Sequence, residues 1–129
     1  MIDSGVFNYI NVLDKAADAA WVRNEAITNN IANATTPNYK RQDVAFESEL
    51  QRALKNSKYQ TMDSKVGHLH VNHLKPRTYT DYDGFSYRLD GNNVDMQTEN
   101  VNLVKNQIKY NALIQSSNDT FTGLKAVMK

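Results

Sequence analysis

Few side chains in this sequence have both the type and the spacing that chemistry requires. His68, His70 and His73 form a His-x-His-x-x-His group with Asp81 and Asp83 not far downstream, and neutral imidazoles so spaced can bind zinc or nickel. On an extended strand His68 and His70 would share a face. Nothing around them suggests a rigid scaffold for ligands, so they are read as solvated loop histidines and no metal is assigned. Asp90, Asn92, Asp95 and Glu99 partly match a calcium loop, but the order lacks the glycine at the sixth place and the bidentate glutamate at the twelfth. Asn33-Ala34-Thr35 and Asn118-Asp119-Thr120 fit the glycosylation sequon, which carries no meaning without a secretory signal. There is no phosphate-binding glycine loop, no nucleophile elbow and no pair of carboxylates in a plausible cleft. The reading is a protein that is not an enzyme, with no cofactor and no small-molecule substrate.

The elements that would position these residues are dominated by helices at the two ends. Val6, Ile10, Leu13, Ala17, Ala20, Asn24, Ile27 and Ile31 follow a 4-3-4-3 spacing, the seam of a coiled coil. Asp3 or Ser4 can cap its start, and Ala16, Ala17, Ala19 and Ala20 allow a partner helix to approach closely. A second stripe of Val12, Ala16, Ala19, Val22 and Ala26 implies a second neighbour. The helix, about 4–34, stops where Asn29, Asn30 and Asn33 weaken it and Pro37 pushes Thr36 out of the helical region. Asn38 then suits a turn that needs positive φ.

Beyond the break, Val44, Phe46, Leu50 and Leu54 read as a short strand-like lead into a short helix, closing a segment of about 35–56. From 57 to 88 the periodicity dissolves, with Pro76 and Gly84 as breaks, and the expectation is a long loop or arm running to about 93. Tyr79, Tyr82, Phe85 and Tyr87 could make a small hairpin or contact patch within it. Asp90-Gly91 marks a turn before a second long helix, about 95–128, whose first turns hold Asp95 and Glu99 favourably for the helix dipole. Leu103, Tyr110, Ile114, Phe121, Leu124 and Met128 lie along one side of that helix, and Val101, Val104, Ile108 and Ala112 along the other. The expected fold is mainly α: long N-terminal and C-terminal helices in an antiparallel coiled-coil-like pair, with an irregular, partly extended middle, in a single domain spanning 1–129.

Bulk properties narrow the function further. A chain of 129 residues with 40% hydrophobic and 9% aromatic content, and a mean hydropathy of -0.64, has a thin core and leans on partners for stability. A net charge of +1 provides no field for nucleic acid or anionic membrane. No stretch approaches the ~18 apolar residues of a membrane span, the first residues lack the features of a cleaved signal, and composition alone leads to the cytoplasm. With no cysteine, disulfide and thiol chemistry are excluded.

Ala32-Asn33-Ala34-Thr35-Thr36-Pro37-Asn38-Tyr39-Lys40 resembles the ANxxTPGYK signature of the bacterial flagellar rod and hook protein family, with Asn38 in the usual glycine place. Asp90-Gly91-Asn92-Asn93-Val94-Asp95, followed by Glu99, Lys105-Asn106-Gln107, Tyr110 and Ala112-Leu113, resembles the matching segment of the proximal rod members. Together these cover about 5–50 and 88–127. The resemblance implies a structural subunit exported without a cleaved signal through the flagellar type III apparatus. Such a subunit assembles by its terminal helices, in the periplasmic part of the basal body, into the torque-transmitting rod. It reverses the cytoplasmic expectation. Implied partners are copies of itself, other rod proteins, the basal-body membrane ring with its adaptor, and the export gate; Phe46 and Leu50 fit the gate-recognition pattern of early export substrates. Phe46→Ala is accordingly expected to lower secretion more than stability. Ile10, Leu13, Ile27, Ile31, Leu103, Tyr110, Ile114, Phe121 and Leu124 are the expected assembly seam. The competing reading from the same heptads is a cytoplasmic helical adaptor or export chaperone.

Overall fold

The computed structural model describes residues 5–55, 60–82 and 88–128. Two long helices dominate: α1 at Gly5–Ala32 and, at the other end of the chain, α4 at Met96–Val127. Between them lie β1 at Gln42–Ala45, α2 at Glu47–Lys55, α3 at Met62–Gly67, a 3-10 turn at Val71–His73, and β2 at Arg77–Thr80. The caps proposed for α1, Asp3 and Ser4, lie outside the described residues, as do Asp83, Phe85 and Tyr87.

The terminal helices run antiparallel against each other. The Asn106 amide of α4 donates to the Ala20 carbonyl of α1 at 2.7 Å, and Asn30 near the end of α1 meets Glu99 near the start of α4 at 3.1 Å. In α1 the residues buried along its length are Ile10, Ala19, Ala20, Ala26, Ile27 and Asn30, while Leu13 and Ile31 are half-buried. The second stripe of α1 finds its neighbour inside the same chain: Ala19 packs with Phe46 and Leu74, flanked by Ala16, Leu50 and Leu69.

On α4 the seam differs from the apolar pattern. The fully buried residues are Glu99 and Asn106, both polar. In 4-3 phase with them, Leu103, Tyr110, Leu113, Ser117, Thr120 and Leu124 are half-buried. Leu103, Tyr110 and Leu124 therefore share the inward side, whereas Ile114 and Phe121 are exposed. Ile114 and Phe121 lie off this inward row, where Asn106, Ser117 and Thr120 stand instead, because an apolar count passes over polar residues.

The expected loop of 57–88 contains regular structure. Thr61 caps α3 by accepting from the Ser64 amide at 3.3 Å, and buried Val66 and Leu74 give the stretch its packing. β2 pairs antiparallel with β1 in the register Gln42↔Thr80, Asp43↔Tyr79, Val44↔Thr78 and Ala45↔Arg77. Tyr79 thus sits in a strand paired far along the chain rather than in a local hairpin, and Tyr82 is exposed.

Candidate functional site

The two sequence motifs meet in space. Ala32 ends α1, and Asn33 to Tyr39 fold into turns with Thr36 N–H donating to the Asn33 carbonyl at 3.0 Å and Tyr39 N–H to the Thr36 carbonyl at 3.3 Å. The last carbonyls of a helix have no partner within it. Here Asn92, from the second motif and 1% exposed, aims its side-chain amide at the carbonyls of Asn33, Ala34 and Thr36, at 2.9, 3.0 and 3.0 Å. Arg88 adds a 2.6 Å bond to the Ala34 carbonyl. The Asn92 carbonyl oxygen accepts from Val94 N–H at 2.8 Å, which fixes the amide orientation.

The chain then crosses the second motif. Asn38 N–H donates to the Asp90 carbonyl at 2.7 Å, Lys40 Nζ to the Gly91 carbonyl at 2.5 Å, and Arg41 N–H to Asn93 Oδ1 at 2.7 Å. Asn38 has φ 59 and Gly91 φ 74. Asparagine and glycine enter this left-handed region most readily. A Cβ on Gly91 would stand 2.8 Å from Asn38 Oδ1. Asn38→Gly is therefore expected to leave the melting temperature within a few degrees, about 1 kcal/mol at most, whereas Gly91→Ala costs about 1–3 kcal/mol from backbone strain and contact. Equal melting temperatures for the two variants would refute this geometry.

Beneath the turns lies a buried polar network. Arg41 reaches Glu99 through Nε at 2.5 Å, Asp81 through one terminal nitrogen at 3.1 Å and Asp43 through the other at 3.0 Å. Burial works against the Arg41 cation, but its bonds to Glu99 and Asp43 outweigh that and hold it charged above the ordinary arginine range. Asn30, fully buried, donates to Glu99 and to the Gln42 carbonyl, and accepts from Gln42 N–H at 2.8 Å and the Tyr39 hydroxyl at 3.2 Å. Burial, with the Glu99 charge second, raises the Tyr39 pKa.

A second cluster joins α1, α2 and α4. Arg23 grips Glu47 with two bonds of 2.8 and 2.6 Å, and Lys109 joins the same carboxylate. The Arg23 bonds, opposed by burial and helped by Lys109, hold the Glu47 carboxyl far below the usual range. These residues line a cleft of about 480 Å³ together with Arg41, Asp43 and Asn106, where opposite charges face each other. Because the Glu47 pKa is depressed on folding, its stabilisation is complete above the unfolded carboxylate value of ~4.3 and fades as pH falls from there towards the folded value. Glu47 is half-exposed, which limits the effect to about 1 kcal/mol. Urea midpoints are expected to drop between pH 6 and 3, and less steeply in Glu47→Gln; identical pH profiles would exclude the pair as a contributor.

The remaining candidates are placed as follows. Phe46 is 2% exposed in the core beside Ala19 and Leu74, and Leu50 N–H donates to the Phe46 carbonyl at 2.9 Å, so the expected export segment is closed in the folded subunit. His68 holds the Ser64 carbonyl at 2.7 Å, while His70 and His73 are exposed with ring centroids 5.7 Å apart. Among the described residues no group of three or more His, Cys, Asp or Glu could hold a metal. No helix there is long and apolar enough to cross a membrane. Sequence reasoning missed Asn30, Arg41, Glu99 and Asn92 as one unit; the signal it had was a cluster of polar residues beside each motif.

Comparison with known proteins supplies the family. No protein-family model matches the sequence. The flagellar basal body rod protein FlgB of Bacillus subtilis is 35% identical over 120 residues, covering 92% of each chain. That of Cereibacter sphaeroides is 35% identical over 127 residues, covering 98% of each. That of Borrelia hermsii is 32% identical over 132 residues, covering 93% of this chain and 95% of the relative. The chain belongs to the FlgB family of flagellar basal body rod proteins. As a FlgB protein it is a structural component of the flagellar basal body. The two stretches through which the sequence resembles flagellar rod proteins form, in this FlgB chain, one hydrogen-bonded junction between the terminal helices.

Proposed function

We propose that this subunit builds the rod by packing the outward faces of α1 and α4 against copies of itself and against other rod proteins. The observation that carries this reading is the pair of exposed stripes left over once α1 and α4 have met. On α4, Val101, Val104 and Ile108 stand in 3-4 spacing and are 52%, 58% and 65% exposed. Phe7 and Trp21 stand on the outer side of α1, in heptad phase with exposed Asp14, Asp18 and Glu25. Helices with one apolar side satisfied and another open are suited to lateral association, and a contact between unlike faces propagates into a helical assembly.

The chain acts as a single domain over 1–129, reaches the periplasmic part of the envelope through the flagellar type III apparatus, and there contacts the membrane ring with its adaptor. Phe46 and Leu50 engage the export gate while the chain is unfolded. Completion of the thin α4 packing by neighbours couples folding to assembly. The decisive experiment compares concentration-dependent sedimentation of the purified chain, and motility of cells carrying it, with those of a Val104→Asp, Ile108→Asp variant. Assembly and motility lost together with an intact monomer support the reading, and unchanged assembly overturns it.

A further inference from the structure

The seam of α1 and the half-buried Leu103, Tyr110 and Leu124 of α4 follow heptad-related spacing, so these apolar residues define the lengthwise alignment of the two helices only weakly. A slide by one heptad, about 10.5 Å, again sets most of these apolar residues against apolar positions. The alanines at 16, 17, 19 and 20 in the middle of α1 provide no large side chain to resist it. What does not repeat is the polar content. The fully buried residues of α4 are Glu99 and Asn106, one heptad apart, and each has a different partner on α1 and its flank.

A slide in one direction would take Glu99 from Arg41 and Asn30 to the place of Asn106, where its carboxylate would face the Ala20 carbonyl, acceptor against acceptor. A slide in the other would bring Asn106 to Asn30 and draw Glu99 away from Arg41, which would keep Asp43 and Asp81. Either slide breaks the Arg41–Glu99 pair, and separating the partners of a buried ion pair is among the larger penalties a helix pair can meet. Asn106 sharpens the selection: its amide holds the Ala20 carbonyl at 2.7 Å, while its Oδ1 is buried with no hydrogen-bond partner among the described residues. An acceptor so placed lowers stability. A polar residue in an otherwise apolar seam is the known device by which coiled coils exchange stability for a defined register.

We propose that Glu99, held by Arg41 and Asn30, and Asn106, held by the Ala20 carbonyl, set the register of the α1–α4 pair along its length, beyond the junction that Asn92 and Asn93 make just before α4. This follows from the subunit alone and does not depend on the mode of assembly. Its consequence is geometric: the register fixes where the outward stripe of α1 stands relative to that of α4.

The chain has no cysteine, so Thr28→Cys and Gln115→Cys, both at exposed positions, accept spin labels whose separation runs largely along the helix axis. Pulsed electron resonance of the labelled parent is expected to give one distance. In the folded variant Arg41→Leu, Glu99→Leu, Asn106→Leu, which removes both partners of the ion pair, a second population displaced by about 10 Å is expected. Restoring Arg41 and Glu99 removes it. A single unshifted distance in that folded variant overturns the proposal. Should the triple variant fail to fold, Glu99→Gln with Asn106→Leu is read in the same way, and a single unshifted distance there overturns it equally.

Discussion

Phe46→Ala is expected to lower the stability of the folded subunit by about 3–5 kcal/mol, a large part of the ~5–15 kcal/mol that holds a typical domain together. The ring is 2% exposed and is the largest side chain of the cluster it forms with Ala19 and Leu74. Its removal leaves a cavity that two alanines on α1 and the short α2 cannot fill. Urea unfolding checks the magnitude, and a midpoint within error of the parent would show that this cluster does not hold the middle segment to α1. The sequence-based expectation that secretion would fall more than stability cannot stand as a comparison of sizes, because the same ring serves the core. The sign still discriminates. Destabilisation enlarges the unfolded population, and a chain exported unfolded then becomes more available. A fall in secretion in spite of lower stability therefore isolates recognition of Phe46 and Leu50 by the gate, whereas secretion that rises or stays level removes that role.

The sequence disclosed the helices and hid much of what joins them. The seam of α1 was legible because Ile10, Ala20 and Ile27 belong to one 4-3-4-3 spacing, and each is buried. The positive φ of Asn38 was legible because it stands in a glycine place of the signature. The inward side of α4 was not, since Glu99 and Asn106 look like surface residues until Arg41 and the Ala20 carbonyl are known to face them. The same holds for β2: four residues of ordinary polarity become a strand only through pairing with β1, and no local period announces a partner more than thirty residues away. Asn92 was read as part of a turn. Its role as the cap of α1, through three carbonyls, depends on a contact between segments 56 to 59 residues apart that no spacing rule encodes.

The same separation of inner and outer residues decides which substitution tests assembly. Ile27→Asp or Leu103→Asp would place a charge against the α1–α4 contact. At Ile27, 2% exposed, this costs several kcal/mol and unfolds the subunit, so lost motility there says little about how subunits meet. Val104 and Ile108, 58% and 65% exposed, are free of that ambiguity. With both changed to aspartate the monomer is expected to keep its helicity and its urea midpoint within about 1 kcal/mol. Burying two such side chains at a neighbour contributes about 3–6 kcal/mol, so their loss lowers the association constant by about 10²- to 10⁴-fold. Across a rod, where the contact recurs at every subunit, the expected result is no assembly and no motility from a well-folded protein that is still secreted. Cells that swim normally with this variant would place the subunit contacts elsewhere than on the outward stripe of α4. A variant that unfolds would instead mean that the stripe is held within the subunit.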